Sequence, residues 1–249
     1  MRYSKFLLAA AWFYFYSAPA NGQLQRNESE SQLFESLNRA RTVHSLSALQ
    51  WDDHLFKAAR KHALLMLNLN MLEHQLPNES NLETRAAEAG ARFAVIAENI
   101  AVGPDPQIIH NGWMNSPGHR KNILDPRLTS VGIAAVRGPG GLFAVQDFSQ
   151  LVPELSVEEQ EQKVISLLTA KGFRLANATD DARKTCDKGA GLAGTAKSMM
   201  RFEATDLSKF PEELEQQIRN WPLGKVSVGA CRASGTSGFT RYRIVVLFF

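Results

Sequence analysis

Helix-period apolar residues that give way to a glycine-punctuated pair of strands, twice along 249 residues, limit the fold of this chain more than any other feature. In the first stretch, SQLFESLNRAR places Leu33, Leu37 and Ala40 on one helical face, and DDHLFKAARKHALLMLNL repeats the pattern with Leu55, Ala58, Ala59, His62 and Met66. NLETRAAEAGARF reads as a third helix ended at Gly90, and PDPQIIHNGWMNS as a fourth, opened by prolines and stopped at Pro117. At SPGHRKNIL the chain is expected to turn before His119. SVGIAAV and LFAVQDF, parted by RGPGG, carry the signal of a hairpin. Helices first and strands last predict an α+β chain with a layered arrangement.

The second stretch runs in the same sense. VEEQEQKVISLLTAKG predicts a helix with a glycine stop, SMMRFEA a strand, PEELEQQIRNW a short proline-led helix, and KVSVGACRASGTSGFTRYRIVVLFF a closing hairpin. Its last strand is almost wholly apolar, so neighbours must cover it or it would be an aggregating edge. The hairpins at 131–148 and 226–249 echo one another, whereas the helices before them show no repeat in sequence. In SQLVPELSVEEQ, Pro153 stops one element and Ser156 caps the next, with Glu158 and Glu159 placed well against the helix dipole. The expected division is therefore one domain over residues 30–152 and a small α+β domain over 153–249.

The two halves differ in chemistry. All six histidines (His44, His54, His62, His74, His110 and His119) precede residue 120, and both cysteines, Cys186 and Cys231, follow residue 185. Upstream of both, Arg2 and Lys5 precede the apolar run FLLAAAWFYFYSAPA, which ends in small residues and reads as a secretory signal peptide over 1–22. A retained interfacial anchor built on WFYFYS is the alternative. A secreted or periplasmic location follows, with no stable transmembrane anchor, because the run is short for a bilayer. In such an oxidising compartment the two cysteines are expected to pair, and closing a loop of that length stabilises by roughly 3 to 4 kcal/mol. The whole chain carries a formal charge of +3, and removal of the leader leaves about +1, which argues against a nucleic-acid partner.

A series of short segments in fixed order carries a resemblance: LN..R at 37–41, LQWDDHL at 49–55, AARKHA at 58–63, LEH ending at His74, RAAEAG at 85–90, AENIA at 97–101, WMNSPGHRKNIL at 113–124, VGIA at 131–134 and AVQDF at 144–148. Together they resemble the CAP superfamily, the SCP-like domains of cysteine-rich secretory proteins, antigen 5 and plant pathogenesis-related proteins, and its bacterial branch in particular. The resemblance implies a CAP-type α-β-α sandwich over residues 30–152 with a cleft lined by histidines and glutamates. On its motif positions fall His74, Glu98 and His119. Two imidazoles and a carboxylate converging there would suit a divalent ion, zinc or another, with one position open to water. Where animal and plant members carry a second glutamate, this chain has Ser116, which removes one carboxylate from the cleft. Glu73 beside His74 is expected to raise the imidazole pKa if the two approach.

Three functions follow from that resemblance. The first is a secreted, non-enzymatic binding module whose cleft takes an ion, a lipid or another small ligand. The second is a hydrolase of extracellular peptide or cell-wall substrates, with His119 as general base, Ser116 or a metal-bound water as nucleophile, and Glu98 as a further catalytic candidate. The third is an envelope adhesion or scaffold protein that meets a cell-envelope component through residues 153–249. Structural roles stand beside these: His119 and Glu98 in a polar network, His62 as a satisfied core histidine, Trp113 in the core, and Asn99 as a turn residue. His44, His54 and His110 are expected in solvent, and Arg120 and Lys121 on a solvated face that could meet an anionic wall polymer.

Overall fold

The computed structural model describes residues 25–189, 191–234 and 238–249. The expected signal peptide lies outside the described residues. The first half comprises α1 (Glu28–Val43), β1 (Gln50–Trp51), α2 (Asp53–Leu69), α3 (Leu82–Glu88), β2 (Phe93–Gly103), α4 (Pro106–Asn115), α5 (Pro117–Ile123), β3 (Ser130–Gly138) and β4 (Gly141–Leu151). The second comprises α6 (Val157–Ala170), β5 (Arg174–Leu175), α7 (Thr179–Lys188), β6 (Ser198–Ala204), α8 (Glu212–Arg219), β7 (Lys225–Ser234) and β8 (Arg241–Phe248).

The caps explain where the helices begin. Asn27 and Glu30 form a reciprocal capping box at α1, and Ser156 and Glu159 do the same at α6. Asp52 accepts from the backbone N–H groups of His54 and Leu55 at 2.8 and 3.0 Å and so starts α2. The expected helices and both hairpins form. At residues 116–124 the expectation is corrected, because Pro117 sits at the first helical position and the segment is the short helix α5. The eleven-residue strand through AENIA and the helix α7 also went unread.

Each half builds a four-stranded sheet of the same order, β1-β3-β4-β2 and β5-β7-β8-β6, with one parallel pair at the edge and antiparallel pairs elsewhere. In the first, Leu33 and Leu37 of α1 and Ile109 and Trp113 of α4 pack on one face, and Phe56, Ala59, Ala63 and Met66 of α2 pack on the other. In the second, Val164 and Leu168 of α6 and Leu214 and Ile218 of α8 cover one face, and Ala182 and Cys186 of α7 lie on the other. Both halves are thus α-β-α sandwiches, and the helices repeat in architecture although the sequence shows no such repeat. A small core can be built from different side chains provided that the apolar face is kept, so the repeat is held in periodicity and not in identity. The apolar last strand β8 is interior, between β7 and β6, and has no open edge.

The Cys186–Cys231 disulfide forms as expected and clips α7 to β7. The halves are joined by backbone: Phe93 N–H donates to the carbonyl of Gly238 at 3.0 Å, and Thr240 N–H donates to that of Phe93 at 3.0 Å. The Phe93 and Phe239 rings meet edge to face at 4.9 Å, and Val152 packs into the second core. Among the described residues, no helix is long and apolar enough to cross a membrane.

Candidate functional site

The edge strand β2 positions the candidate cleft. Because side chains alternate across a strand, Glu98 turns to the face covered by α2 while Asn99 turns to the face covered by α4 and α5. Asn99 is fully buried. Its Nδ2 donates to the carbonyl of His119 at 3.2 Å, and its Oδ1 accepts from Asn122 Nδ2 at 2.9 Å. The turn role expected for Asn99 is therefore corrected: it is a strand residue that fastens α5 to the sheet. Asn122 also donates to the backbone carbonyl of Glu98 at 3.1 Å, so α5 is held against β2 at two points.

On the other face, Glu98 is the centre of an ionic network. Its Oε1 accepts from His74 Nδ1 at 2.8 Å, and its Oε2 accepts from Arg85 Nη2. His62, with 0% of its surface exposed, bonds through Nδ1 to Glu79 at 2.9 Å and points Nε2 toward Glu98 at 3.8 Å. Arg85 also donates to the backbone carbonyl of His74 at 3.1 Å, which anchors the loop that presents the histidine. Sequence reasoning missed Arg85 and Glu79. Arg85 was visible in the RAAEAG segment, but nothing local tells a buried cation from a solvated one.

Beneath Glu98, directly across from it in the β2–β4 register, lies Asp147, which is fully buried. Among the described residues neither of its carboxylate oxygens makes a hydrogen bond of good geometry, although the Glu98 carboxylate lies close enough to act on it. Burial first, and then the charge of Glu98, push Asp147 well above the usual carboxylate range. For Glu98, burial pulls upward, but the His74 hydrogen bond and the Arg85 charge outweigh it and hold the group below its ordinary value. The same bond raises His74. His119 is lowered, by burial first and then by the charge of His74.

Of the three motif residues, His74 and Glu98 are joined by a hydrogen bond, and His119 is tied through its backbone carbonyl to Asn99, the strand residue next to Glu98. Ser116 is not joined to them: it caps α5 through its backbone, with no side-chain capping bond, and no hydrogen bond links its hydroxyl to His119 among the described residues. His62 is buried as expected, yet it belongs to the network under the cleft. His110 is a correction, since it is 7% exposed and lowered chiefly by burial. His44 and His54 are exposed, and Trp113 is buried with its indole N–H donating to Ile100 at 3.1 Å. Arg120 and Lys121 lie on an exposed face beside a shallow cavity of about 540 Å³.

The donor set tests the expected cation. Both Glu98 oxygens are engaged, one by an imidazole and one by a guanidinium, so the carboxylate is not a free ligand. Among the described residues, no group of three or more His, Cys, Asp or Glu side chains is placed to hold a metal ion. Glu98 stands behind His74 and fixes its tautomer and orientation. The His74 side chain is 59% exposed and can present Nε2 to a ligand.

A model of the cysteine-rich secretory protein family matches residues 34–148. The uncharacterized protein YkwD of Bacillus subtilis (strain 168) is 36% identical over 118 residues, 47% of this chain and 46% of that protein. The uncharacterized membrane protein YlbC of the same organism is 33% identical over 110 residues, 44% of this chain and 32% of that protein. The chain thus spans less than half the length of these two relatives. Among solved structures, an extracellular protein containing an SCP domain from Bacillus anthracis is 31% identical, with a TM-score of 0.46 and coverage of 49% of this chain and 40% of that one. An outer surface protein from Borrelia burgdorferi is 22% identical, with a TM-score of 0.47 and coverage of 50% of this chain and 93% of that one.

Proposed function

Starting from residues 34–148 as a CAP domain of the kind found in bacterial relatives, we propose that the chain is a secreted binding module that works without catalysis. Its cleft, between His74 and His119, takes a small ligand or a divalent cation such as zinc. The observation that carries this reading is the saturation of Glu98. A carboxylate held by His74 and Arg85 and depressed in pKa is a weak base, and its better use is to hold an imidazole in a fixed pose. Among the described residues no hydroxyl is bonded to His119, which weighs against the hydrolase alternative. The lowered, half-buried His119 suits ion capture at neutral pH, because imidazole binds an ion when unprotonated, whereas at the exposed His74, whose pKa is raised, an ion must displace a proton.

Calorimetric titration of the full chain with zinc tests the cation version. Saturable heat that disappears in both His74→Ala and His119→Ala is the expected result. Heat that survives both substitutions, or none in the parent, removes the cation and leaves small organic ligands, which mass spectrometry of protein purified from its native envelope would identify. Turnover of a peptide, ester or cell-wall substrate that is lost in Glu98→Gln would overturn the non-catalytic reading.

A further inference from the structure

The second sheet carries a cavity that the first cleft does not explain. In both sheets a helix backbone passes over a glycine: a Cβ on Gly132 would lie 2.0 Å from the Phe56 nitrogen, and one on Gly229 would lie 2.3 Å from the Ala182 carbonyl carbon. The glycine lies one residue past the partner of Trp51 in the first sheet and three past the partner of Leu175 in the second. That displacement matches the connections, since one residue joins β1 to α2 and three join β5 to α7. The glycines are therefore the common mark by which the two faces are compared.

From that mark the paired row runs Gly132, Asp147, Glu98 in the first sheet and Gly229, Val245, Arg201 in the second. Arg201 stands where Glu98 stands. The next row on the same face is Ala134, Val145 and Ile100 in the first sheet, against Cys231, Arg243 and Glu203 in the second. In the first, the later turns of α2 cover that row with Ala63 and Met66. In the second, α7 ends at Lys188 after 10 residues where α2 runs for 17. A cavity of about 360 Å³ opens over the uncovered row, its walls including Cys186, Gly189, Arg201, Glu203, Arg243 and Val245.

Charge is not balanced there. Arg201 Nη2 donates to the backbone carbonyls of Thr185 and Gly191, and its buried Nε has no partner. No carboxylate lies within ion-pairing distance of Arg201 among the described residues, whereas Arg243 faces Glu203 at 3.6 Å. A guanidinium fixed by neutral carbonyls keeps its full charge for an incoming oxyanion. We propose that this cavity binds a small organic anion, a carboxylate or phosphate group on a short apolar body, with Arg201 as its charge partner and Arg243 closing the clamp. The apolar body would lie against Val245 and the disulfide.

Two probes test it on the full chain at fixed ionic strength, hexanoate and inorganic phosphate, by calorimetry and by amide shifts at residues 201–203 and 243–245. At least one probe is expected to saturate and move those amides. Preference for hexanoate assigns a carboxylate on an apolar body, and preference for phosphate assigns a phosphate group. Arg201→Gln should weaken binding by about tenfold or more and Arg243→Gln by several-fold, in line with the loss of a charge-assisted bond. His74→Ala should change nothing, which separates this site from the first cleft. Failure of both probes to move those amides overturns the proposal. So does unchanged affinity in Arg243→Gln, the variant that decides the matter if Arg201→Gln does not fold.

Discussion

In the first half, α2 runs far enough across its sheet to shelter Glu98, Arg85, His62, Glu79 and Asp147. In the second half, α7 stops short, the same face is apolar with a disulfide, and arginines stand at the rim of the gap. One strand order therefore supports two ways of holding a helix on a sheet. The first relies on buried ions that satisfy one another, and the second on a covalent clip. Helix length, and not sheet topology, decides whether that face is closed or open. What the face can bind follows from the residues it exposes, since a fold does not carry a function by itself.

The contrast can be broken most sharply at its arginines. Arg85→Ala leaves Glu98 and Glu79 buried without their cation and should cost about 3 to 5 kcal/mol in denaturant unfolding. Arg201→Ala, which removes bonds to neutral carbonyls, should cost only about 1 to 2 kcal/mol. Equal losses would mean that the two arginines do the same structural work. Next in size is the clip: replacing Cys186 and Cys231 together by serine should cost roughly 3 to 4 kcal/mol. That loss should fall on the second half, read as faster hydrogen exchange in β7 and β8 with the Glu98 network still protected. A smaller effect sharpens the junction, where Phe239→Ala removes the edge-to-face contact with Phe93 and should cost about 1 kcal/mol in thermal unfolding.

The smallest expected effect is His74→Ala, at most about 1 kcal/mol because the pair is largely solvent-exposed on the histidine side. Its sign with pH is fixed. The folded-state pKa of His74 is raised, so its contribution is complete below the unfolded value of about 6.5 and is lost as pH rises through the folded value. Imidazole NMR should show His74 titrating above that reference and His119 below it, and Glu98→Gln should bring His74 down. Coincident titrations of the two histidines would place them in unrelated surroundings and remove the shared cleft.

Much of the fold was legible because it is written in periodicity. Leu33 and Leu37, the α2 stripe, the prolines before α4 and the two hairpins all follow from local pattern. The repeat of the sandwich was not, since α6, α7 and α8 keep the apolar faces of their counterparts and almost none of their residues. His74, Glu98 and His119 were reachable through their motif positions alone, because intervals of this length have no local geometry. Asp147 and Glu79 gave no signal, as an ionisable residue in a strand or loop reads as solvated until its neighbours are known.

By itself, then, the sequence determined most of the helices, both hairpins and the cysteine pair, and its motifs pointed to three candidate cleft residues, because each depends on spacing along the chain or on a recognisable segment. Tertiary structure decided that Arg85 pairs with Glu98, that Asp147 is buried beneath it with its pKa pushed up, and that a short α7 leaves Arg201 beside an open cavity. Those outcomes depend on which distant groups share a low-dielectric interior, where a partner's position sets the energy of a charge and no linear pattern records it.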